Sequence, residues 1–229
     1  MRLGVKDVAD RLGIPERTVF QWVERDGLPA NRVDGQFRFN PAAVYEWATG
    51  RGVPIPGNLF DEDATRPAGE PLTRALRAGG IVVGLKGDDK QGVLRAAVDK
   101  LSLPPHADRG VILHMLLARE KLGSTGIGEG FAIPHVRNPI VLRVPEPLVT
   151  LFLLDHPIDF GAIDHRPVHS VFLSITPTTQ SHLLVLSRLG TVLQDAGVRR
   201  AITGRASPAK ILAEIERAEA PLSAGRKDA

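Results

Sequence analysis

The first fifty residues carry apolar side chains at helical spacing in two short runs. The first run predicts an amphipathic helix that ends at Gly13, with an inward face made of Val5, Val8, Ala9 and Leu12. The second run predicts a helix that opens at Pro15 or Glu16 and turns inward Val19, Trp22 and Val23. The short turn at Gly13-Ile14 gives these helices the spacing of a helix-turn-helix.

A β-hairpin is predicted directly after the second helix. The segments Asn31-Arg32-Val33 and Gln36-Phe37-Arg38-Phe39 lie on either side of Asp34-Gly35, a dipeptide typical of tight hairpin turns. Asn40 then caps a third helix, which Pro41 opens.

After residue 71 the pattern changes to alternating strands and helices. Strands are predicted at 81–85, 141–144, 148–154 and 168–175. Helices are predicted at 72–76, from Asp88 or Asp89 to Leu101, at 107–119, from Thr178 or Thr179 to Leu193, and from Pro208 to about Glu219. We expect an α/β fold with a mixed sheet flanked by helices, in addition to the small N-terminal winged helix-turn-helix domain.

Two details of this prediction can be checked directly. In the helix at 107–119 we place Val111, Met115 and Leu116 on one face, and we place Ala201-Ile202 in a connecting segment. The domains are then 1–52, a linker at 53–71 rich in proline and acidic residues, 72–220, and a flexible tail at 221–229.

Composition narrows the class of protein. A chain of 229 residues is long enough for two domains, and its hydrophobic fraction of 43% is ordinary for a globular protein. No apolar run reaches the length of a membrane span, and the N-terminus lacks the plan of a secretory signal, so we expect a cytoplasmic protein without a membrane partner. The absence of cysteine excludes disulfides and thiolate metal sites.

Charge constrains the N-terminal domain. Residues 1–50 contain seven basic and seven acidic residues, so the domain is neutral, and the whole chain has a net charge of only +3. A helix-turn-helix is typical of DNA-binding proteins. A neutral monomer binds DNA weakly, so useful affinity needs a homodimer or a one-sided charge distribution. Docking to a protein is the alternative interpretation of this domain.

The stretch from Arg119 to His135 concentrates the candidate chemistry. Four glycines lie between Gly123 and Gly130, a density that brings backbone amides close to an anion. Arg119 offers a planar fork of donors suited to phosphate oxygens. His135 follows Pro134, which stiffens its support, and imidazole is the best nucleophile of the run near neutral pH. This combination indicates reversible phosphorylation of His135.

The order of residues in this stretch resembles the signature of enzyme IIA domains of the bacterial phosphotransferase system, of the fructose/mannitol and nitrogen-related type. The matching parts are Arg119-Glu120, Gly123-Ser124-Thr125-Gly126-Ile127-Gly128 and Ala132-Ile133-Pro134-His135, with Val136 where the family often has glycine. The resemblance implies that a small HPr-like phosphocarrier protein phosphorylates His135 on Nε2 without metal or organic cofactor. It also implies catalytic roles for Arg119 and His182.

The predicted phosphate-binding residues are Gly123, Ser124, Thr125, Gly126 and Gly128. The histidines outside this stretch form no clear metal-binding motif. The spacing of Asp164, His165 and His169 matches no strong zinc pattern, so we expect no metal site.

The first fifty residues resemble the winged helix-turn-helix of the excisionase and MerR-like families. The resemblance implies that the second helix enters the major groove and that the hairpin contacts the DNA backbone or minor groove. The predicted DNA-binding residues are Arg17, Thr18, Gln21, Arg25, Arg32 and Arg38.

Three functions follow, in order of preference. The first is a phosphohistidine-accepting regulator that couples phosphorylation to transcription through the DNA-binding head. The second is a DNA-binding regulator whose IIA-like domain is a non-phosphorylated binding module. The third is a sugar-specific IIA that feeds a separate IIB.

Overall fold

The computed structural model describes residues 3–33, 35–49, 51, 53, 71–105, 107–136 and 144–224. Several predicted features lie wholly or mostly outside these ranges. They are the turn residue Asp34, the linker at 54–70, the strand residues 141–143 and the tail residues 225–229.

The N-terminal unit has the predicted helix-turn-helix followed by a hairpin. Its elements are α1 (Val5–Leu12), α2 (Glu16–Arg25), β1 (Asn31–Val33), β2 (Gln36–Arg38) and α3 (Pro41–Thr49). Gly13 ends α1 in the left-handed conformation with φ 65°, which glycine adopts without steric cost. The strands β1 and β2 pair antiparallel, so Asn31 lies opposite Arg38. The predicted small winged domain is confirmed.

The larger unit begins at residue 71. Its elements are α4 (Pro71–Gly79), β3 (Ile81–Leu85), α5 (Lys90–Lys100), α6 (Arg109–Lys121), β4 (Gly126–Gly128), β5 (Phe131–Ala132), β6 (Leu148–Ile158), β7 (Val168–Ile175), α7 (Thr179–Val192), α8 (Ala196–Thr203) and α9 (Pro208–Ala224). Asp89 caps α5 and Thr178 caps α7, in agreement with the sequence prediction.

Within the described residues, five strands of this unit form one sheet in the order β3-β6-β7-β5-β4. The pairs β3–β6 and β5–β7 are parallel, whereas β6–β7 and β4–β5 are antiparallel. The predicted mixed sheet flanked by helices is therefore confirmed.

The central strand β6 shows how the sheet separates two cores. Leu151 and Leu153 belong to the cluster that α4, α7 and α9 cover on one face. Phe152 and Leu154 point the other way, into the cluster that α5 and α6 cover. This alternation follows from the two-residue period of a strand, and burial on both faces explains the nearly continuous apolar run.

Two predictions about the C-terminal region were wrong. Ala201 and Ile202 lie within α8, because Asp195 caps this helix through the amides of Gly197 and Val198 and the spacing of its apolar residues is helical. The last helix, predicted to end at about Glu219, continues as α9 to Ala224, since Leu222 packs against the core.

The apolar face predicted for α6 is only partly buried. Val111 is 43% exposed, whereas Ile112 and Leu116 are fully buried. The helix begins at Arg109, with Asp108 as its cap, and this start sets which residues face the sheet. The two short strands β4 and β5 were not predicted, since a glycine-rich stretch has low strand propensity.

A carboxylate from α9 holds the start of α4. Glu219 accepts hydrogen bonds from the amides of Leu72 (2.8 Å) and Thr73 (2.7 Å). Burial raises the pKa of the Glu219 carboxyl, while these hydrogen bonds and the charge of Arg188 act in the opposite direction. Glu219 thereby satisfies two amides that the first turn of a helix leaves without an internal partner.

The N-terminal unit packs directly on α7 of the larger unit. Tyr45 on α3 is buried, and its hydroxyl donates to the backbone carbonyl of Leu186 at 2.5 Å. Apolar residues of both units, among them Leu3, Phe39 and Leu189, belong to one continuous cluster. The two units thus share a core rather than meeting only through the linker.

Candidate functional site

Arg119 and His135 lie in contact at one end of the sheet. Arg119 is in the last turn of α6, where the negative end of the helix dipole favours a cation. Its Nε lies 3.3 Å from Nε2 of His135, and its terminal nitrogen donates to the carbonyl of Gly123 at 2.9 Å. The guanidinium therefore links the imidazole to the glycine-rich stretch.

The hydrogen bonds of His135 select one tautomer. Nδ1 lies 2.8 Å from the carbonyl oxygen of Ile133. A carbonyl oxygen can only accept, so Nδ1 carries the hydrogen, and the lone pair of Nε2 accepts from Arg119. In the neutral ring, Nε2 is the nucleophilic nitrogen.

His182 lies beside this imidazole. Its ring centroid is 4.9 Å from that of His135, with an interplanar angle of 51°. It occupies the first turn of α7, and its amide donates to the carbonyl of Thr178 at 3.0 Å. Ser181 and Thr178 form a capping box that holds this end of the helix. The fold therefore brings together the three predicted catalytic residues.

The site is largely covered. His135 is 5% exposed and Arg119 is 9% exposed, while His182 is 2% exposed. These three residues therefore present little accessible surface among the described residues.

The glycine-rich stretch folds back on itself as β4 and β5. Several of its donors already have protein partners: the hydroxyl of Ser124 donates to the carbonyl of Phe160 at 2.7 Å, and the amide of Gly126 donates to that same hydroxyl oxygen at 3.1 Å. The amide of Gly123 donates to the carbonyl of Glu120 at 3.3 Å. The contact of this stretch with phosphate stays a prediction.

Two of these glycines meet a steric requirement. A side chain at Gly126 would bring its Cβ within 2.8 Å of the backbone Cα of Ala162. Gly128 has φ +95°, a conformation that L side chains rarely adopt. The spacing of glycines thus reflects close packing against the segment around Ala162.

The sequence analysis missed Glu120 and Lys90 as organisers of the stretch. The buried carboxylate of Glu120 accepts from the amide of Thr125 at 3.2 Å and from its hydroxyl, and it pairs with Lys90 at 3.2 Å. Glu120 stands in the quoted Arg-Glu pair, and its place beside an apolar helix was a usable signal. Lys90 lies 30 positions earlier in the chain (120 − 90), and only the fold brings it here.

His169 and Asp164 have partners away from His135. Nδ1 of His169 lies 2.8 Å from the Ser170 hydroxyl, and burial lowers the pKa of His169. Amides of Glu129 and Arg166 donate to Asp164, which lowers the pKa of that carboxyl. No group of three or more metal-ligating side chains occurs among the described residues.

The predicted DNA-binding residues lie on the surface of the N-terminal unit. On α2, Arg17, Gln21 and Arg25 are exposed and Thr18 is half-buried. The rings of Phe20 on α2 and Phe37 on β2 are 5.9 Å apart, so helix and hairpin form one surface.

The hairpin arginines are supported by their neighbours. The guanidinium of Arg32 lies 5.2 Å from the ring centroid of Phe37, and Arg38 donates to the side chain of Gln36 at 2.8 Å. Both arginines therefore have side-chain contacts on the hairpin itself.

Residues 75–218 match the family model described as "Phosphoenolpyruvate-dependent sugar phosphotransferase system, EIIA 2". The chain belongs to this EIIA 2 family. A second model, described as "Helix-turn-helix domain", matches residues 2–52. The order of a helix-turn-helix domain followed by an EIIA 2 domain is therefore confirmed.

The EIIA 2 domain is similar to nitrogen regulatory proteins. The chain is 37% identical to the "Nitrogen regulatory protein" of Pseudomonas aeruginosa over 131 residues, which is 56% of this chain and 83% of that protein. It is 42% identical to the protein of the same name in Escherichia coli over 108 residues, which is 45% of this chain and 61% of that protein.

A solved structure supports the same fold. The nitrogen regulatory protein IIA-Ntr from Neisseria meningitidis superposes with a TM-score of 0.53 and 30% identity. The match covers 59% of this chain and 92% of that chain, so it concerns the EIIA 2 domain. Within the described residues, no helix is both long and apolar enough to cross a membrane.

The tautomer of His135 is open to a direct test by nitrogen NMR of protein labelled at the histidine rings. In the neutral form of the ring, we expect Nδ1 of His135 to resonate as a protonated nitrogen and Nε2 as an unprotonated one. The spectrum of His135→Gln assigns the resonances. The opposite pattern, with hydrogen on Nε2, would contradict the geometry of the site.

Proposed function

We propose that His135 accepts a phosphoryl group from an HPr-like phosphocarrier protein. One observation carries this proposal: Nε2 of His135 presents a lone pair beside the Arg119 guanidinium, while Nδ1 is held by the carbonyl of Ile133. A buried imidazole with only a structural role has no need of a cation at its unprotonated nitrogen. Membership of residues 75–218 in the EIIA 2 family supports the same assignment.

The transfer step needs no base at His135. The Nε2 lone pair attacks phosphorus, and the bond from phosphorus to the donor nitrogen breaks as the new phosphorus–nitrogen bond forms. Nδ1 keeps its hydrogen bond to Ile133, so the ring becomes a cation beside the phosphoryl dianion. Because the transition state is loose, positioning and charge stabilisation supply most of the catalysis.

Arg119 changes partner during the step. Its Nε–H donates to Nε2 in the unphosphorylated protein, and this contact must open before Nε2 can attack. The guanidinium stays close because it is also tied to the carbonyl of Gly123, so it turns toward the phosphoryl oxygens. Because the His135 ring is only 5% exposed, this rotation accompanies docking of the carrier.

His182 and the glycine-rich stretch complete the proposed site. His182 lies in the first turn of α7, where the positive end of the helix dipole favours a nearby anion. The stretch from Gly123 to Gly128 shapes the wall of the site, held in place by Glu120.

Phosphorylation is tested by incubating the full chain with phosphoenolpyruvate, the general phosphotransferase enzyme and candidate HPr-like carriers. We expect a mass gain of one phosphoryl group, lost in His135→Ala and retained in His169→Ala, a matched control outside the site. Arg119→Gln should slow transfer by about 100-fold, since it removes one preorganised cationic donor.

Absence of transfer from every cognate carrier would contradict the proposal and favour a non-phosphorylated binding module. Onward transfer from His135 to a IIB protein would instead favour a sugar-specific IIA.

We further propose that the N-terminal domain binds DNA through α2 and the hairpin. Arg17, Gln21 and Arg25 lie exposed along α2, next to the hairpin arginines. These three residues stay exposed although α3 packs on α7 through Tyr45.

Helix α7 provides a physical route between the two proposed sites. Its first turn holds His182 against the His135 ring, and its middle turn accepts a hydrogen bond from Tyr45 of the DNA-binding domain. A displacement of α7 on phosphorylation therefore reaches the domain interface directly. This route supports coupling of the phosphorylation state to DNA binding.

Coupling is tested with a duplex selected by the protein from a random library. We expect the dissociation constants of the phosphorylated and unphosphorylated protein to differ by about tenfold, within the usual range of coupling between sites. Tyr45→Phe removes the hydroxyl that donates to Leu186. The ratio of the two dissociation constants should therefore move toward one, although this variant is still phosphorylated.

Two variants of the DNA surface provide the control. Arg17→Ala and Arg38→Ala should weaken binding about equally in both phosphorylation states, because they remove DNA contacts and leave α7 unchanged. A wild-type ratio of one would refute the coupling, and unchanged binding in both arginine variants would refute the placement of the DNA surface.

A further inference from the structure

Two buried hydroxyls lie next to the candidate site without a hydrogen-bond partner among the described residues. They are Oγ of Ser174 and Oγ1 of Thr176, and each residue is 1% exposed. Burying a hydroxyl without a hydrogen bond costs free energy, so native proteins avoid it unless the group acquires a partner in another state.

Strand pairing places the Ser174 hydroxyl on the same face of the sheet as the His135 ring. His135 forms a parallel bridge with Ser174, and the Ser174 amide donates to the carbonyl of Pro134 at 3.0 Å. Paired residues of neighbouring strands project to the same face. Thr176 lies one residue beyond the end of β7, in the link to α7.

Packing of β7 identifies this face. Phe172 belongs to the core that α7 covers, whereas Leu173 and Ile175 belong to the core on the opposite face. Ser174 therefore points toward the side of α7, where His182 contacts His135.

Another serine on the same face serves as a comparison. Ser170 is equally buried, but its hydroxyl is 2.8 Å from Nδ1 of His169. Along β7, the hydroxyl distant from His135 is satisfied and that of Ser174 is not.

A phosphoryl group on His135 would need more donors than the predicted loop offers. The hydroxyl of Thr125 donates to Glu120, and that of Ser124 donates to Phe160. Arg119 can donate to two of the three phosphoryl oxygens, so at least one oxygen still needs a hydrogen-bond donor.

We infer that Ser174 and Thr176 are phosphoryl-binding residues, whose hydroxyls donate to the oxygens of the phosphorylated form. The inference rests on the proposed function and adds donors from the strand that precedes α7. Hydrogen bonds to a charged acceptor are stronger than neutral ones, so these hydroxyls favour the phosphorylated state. The same contacts would pull on the Thr178 end of α7.

The test compares Ser174→Ala, Thr176→Val and the double variant with wild type, and uses Ser170→Ala as the matched control. The measured quantity is the equilibrium constant for phosphoryl transfer between the full chain and its carrier. We expect it to fall about tenfold for each hydroxyl removed and to stay unchanged in Ser170→Ala.

Urea unfolding of the unphosphorylated variants separates binding from a structural role. Removal of an unsatisfied hydroxyl should leave the midpoint unchanged or raise it. Destabilised or unfolded variants would show that the hydroxyls already have a role in the unphosphorylated protein, which would overturn the inference.

An unchanged equilibrium constant in the double variant, with wild type phosphorylated, would overturn this inference alone. A wild-type protein that accepts no phosphoryl group would overturn it together with the proposed function.

Discussion

The contact between Arg119 and His135 is the interaction on which the candidate site depends. It requires a guanidinium at the end of α6 and an imidazole whose other nitrogen is held by its own backbone at Ile133. Neither group could be placed alone, because a buried cation and a buried imidazole each need a hydrogen-bond partner. The glycine-rich stretch lets both elements approach, and Glu120 with Lys90 keeps that stretch closed.

The sheet and its two cores connect the contact between Arg119 and His135 to the N-terminal domain. β5 leads to His135 and pairs with β7, and β7 leads into α7, so the His135 imidazole lies against the start of a long helix. The other end of the same route is the small domain, held on α7 by Tyr45 and by apolar side chains common to both units. A charge added at His135 would therefore lie beside a helix that contacts the N-terminal domain, which carries the predicted DNA-binding residues.

Much of this arrangement could be predicted because its signals are local. The caps at Asp89 and Thr178 predict where two helices begin. The continuous stretch from Arg119 to His135 predicts the chemistry of the candidate site. Lys90 and Ser174 could not be placed, since they reach the site only through sheet pairing and helix packing. Helix α8 could have been predicted from the Asp195 cap and from the helical spacing of Val198, Ala201 and Ile202. The packing of the two domains on each other has no corresponding pattern in the sequence.

The most direct measurement is the position of the phosphoryl group on the phosphorylated protein, read from long-range proton–nitrogen NMR spectra of protein labelled at the histidine rings. The account predicts that Nε2 of His135 carries phosphorus and that Nδ1 retains its hydrogen and its bond to Ile133. Phosphorus on Nδ1, on another residue, or on none after exposure to every cognate carrier would contradict it.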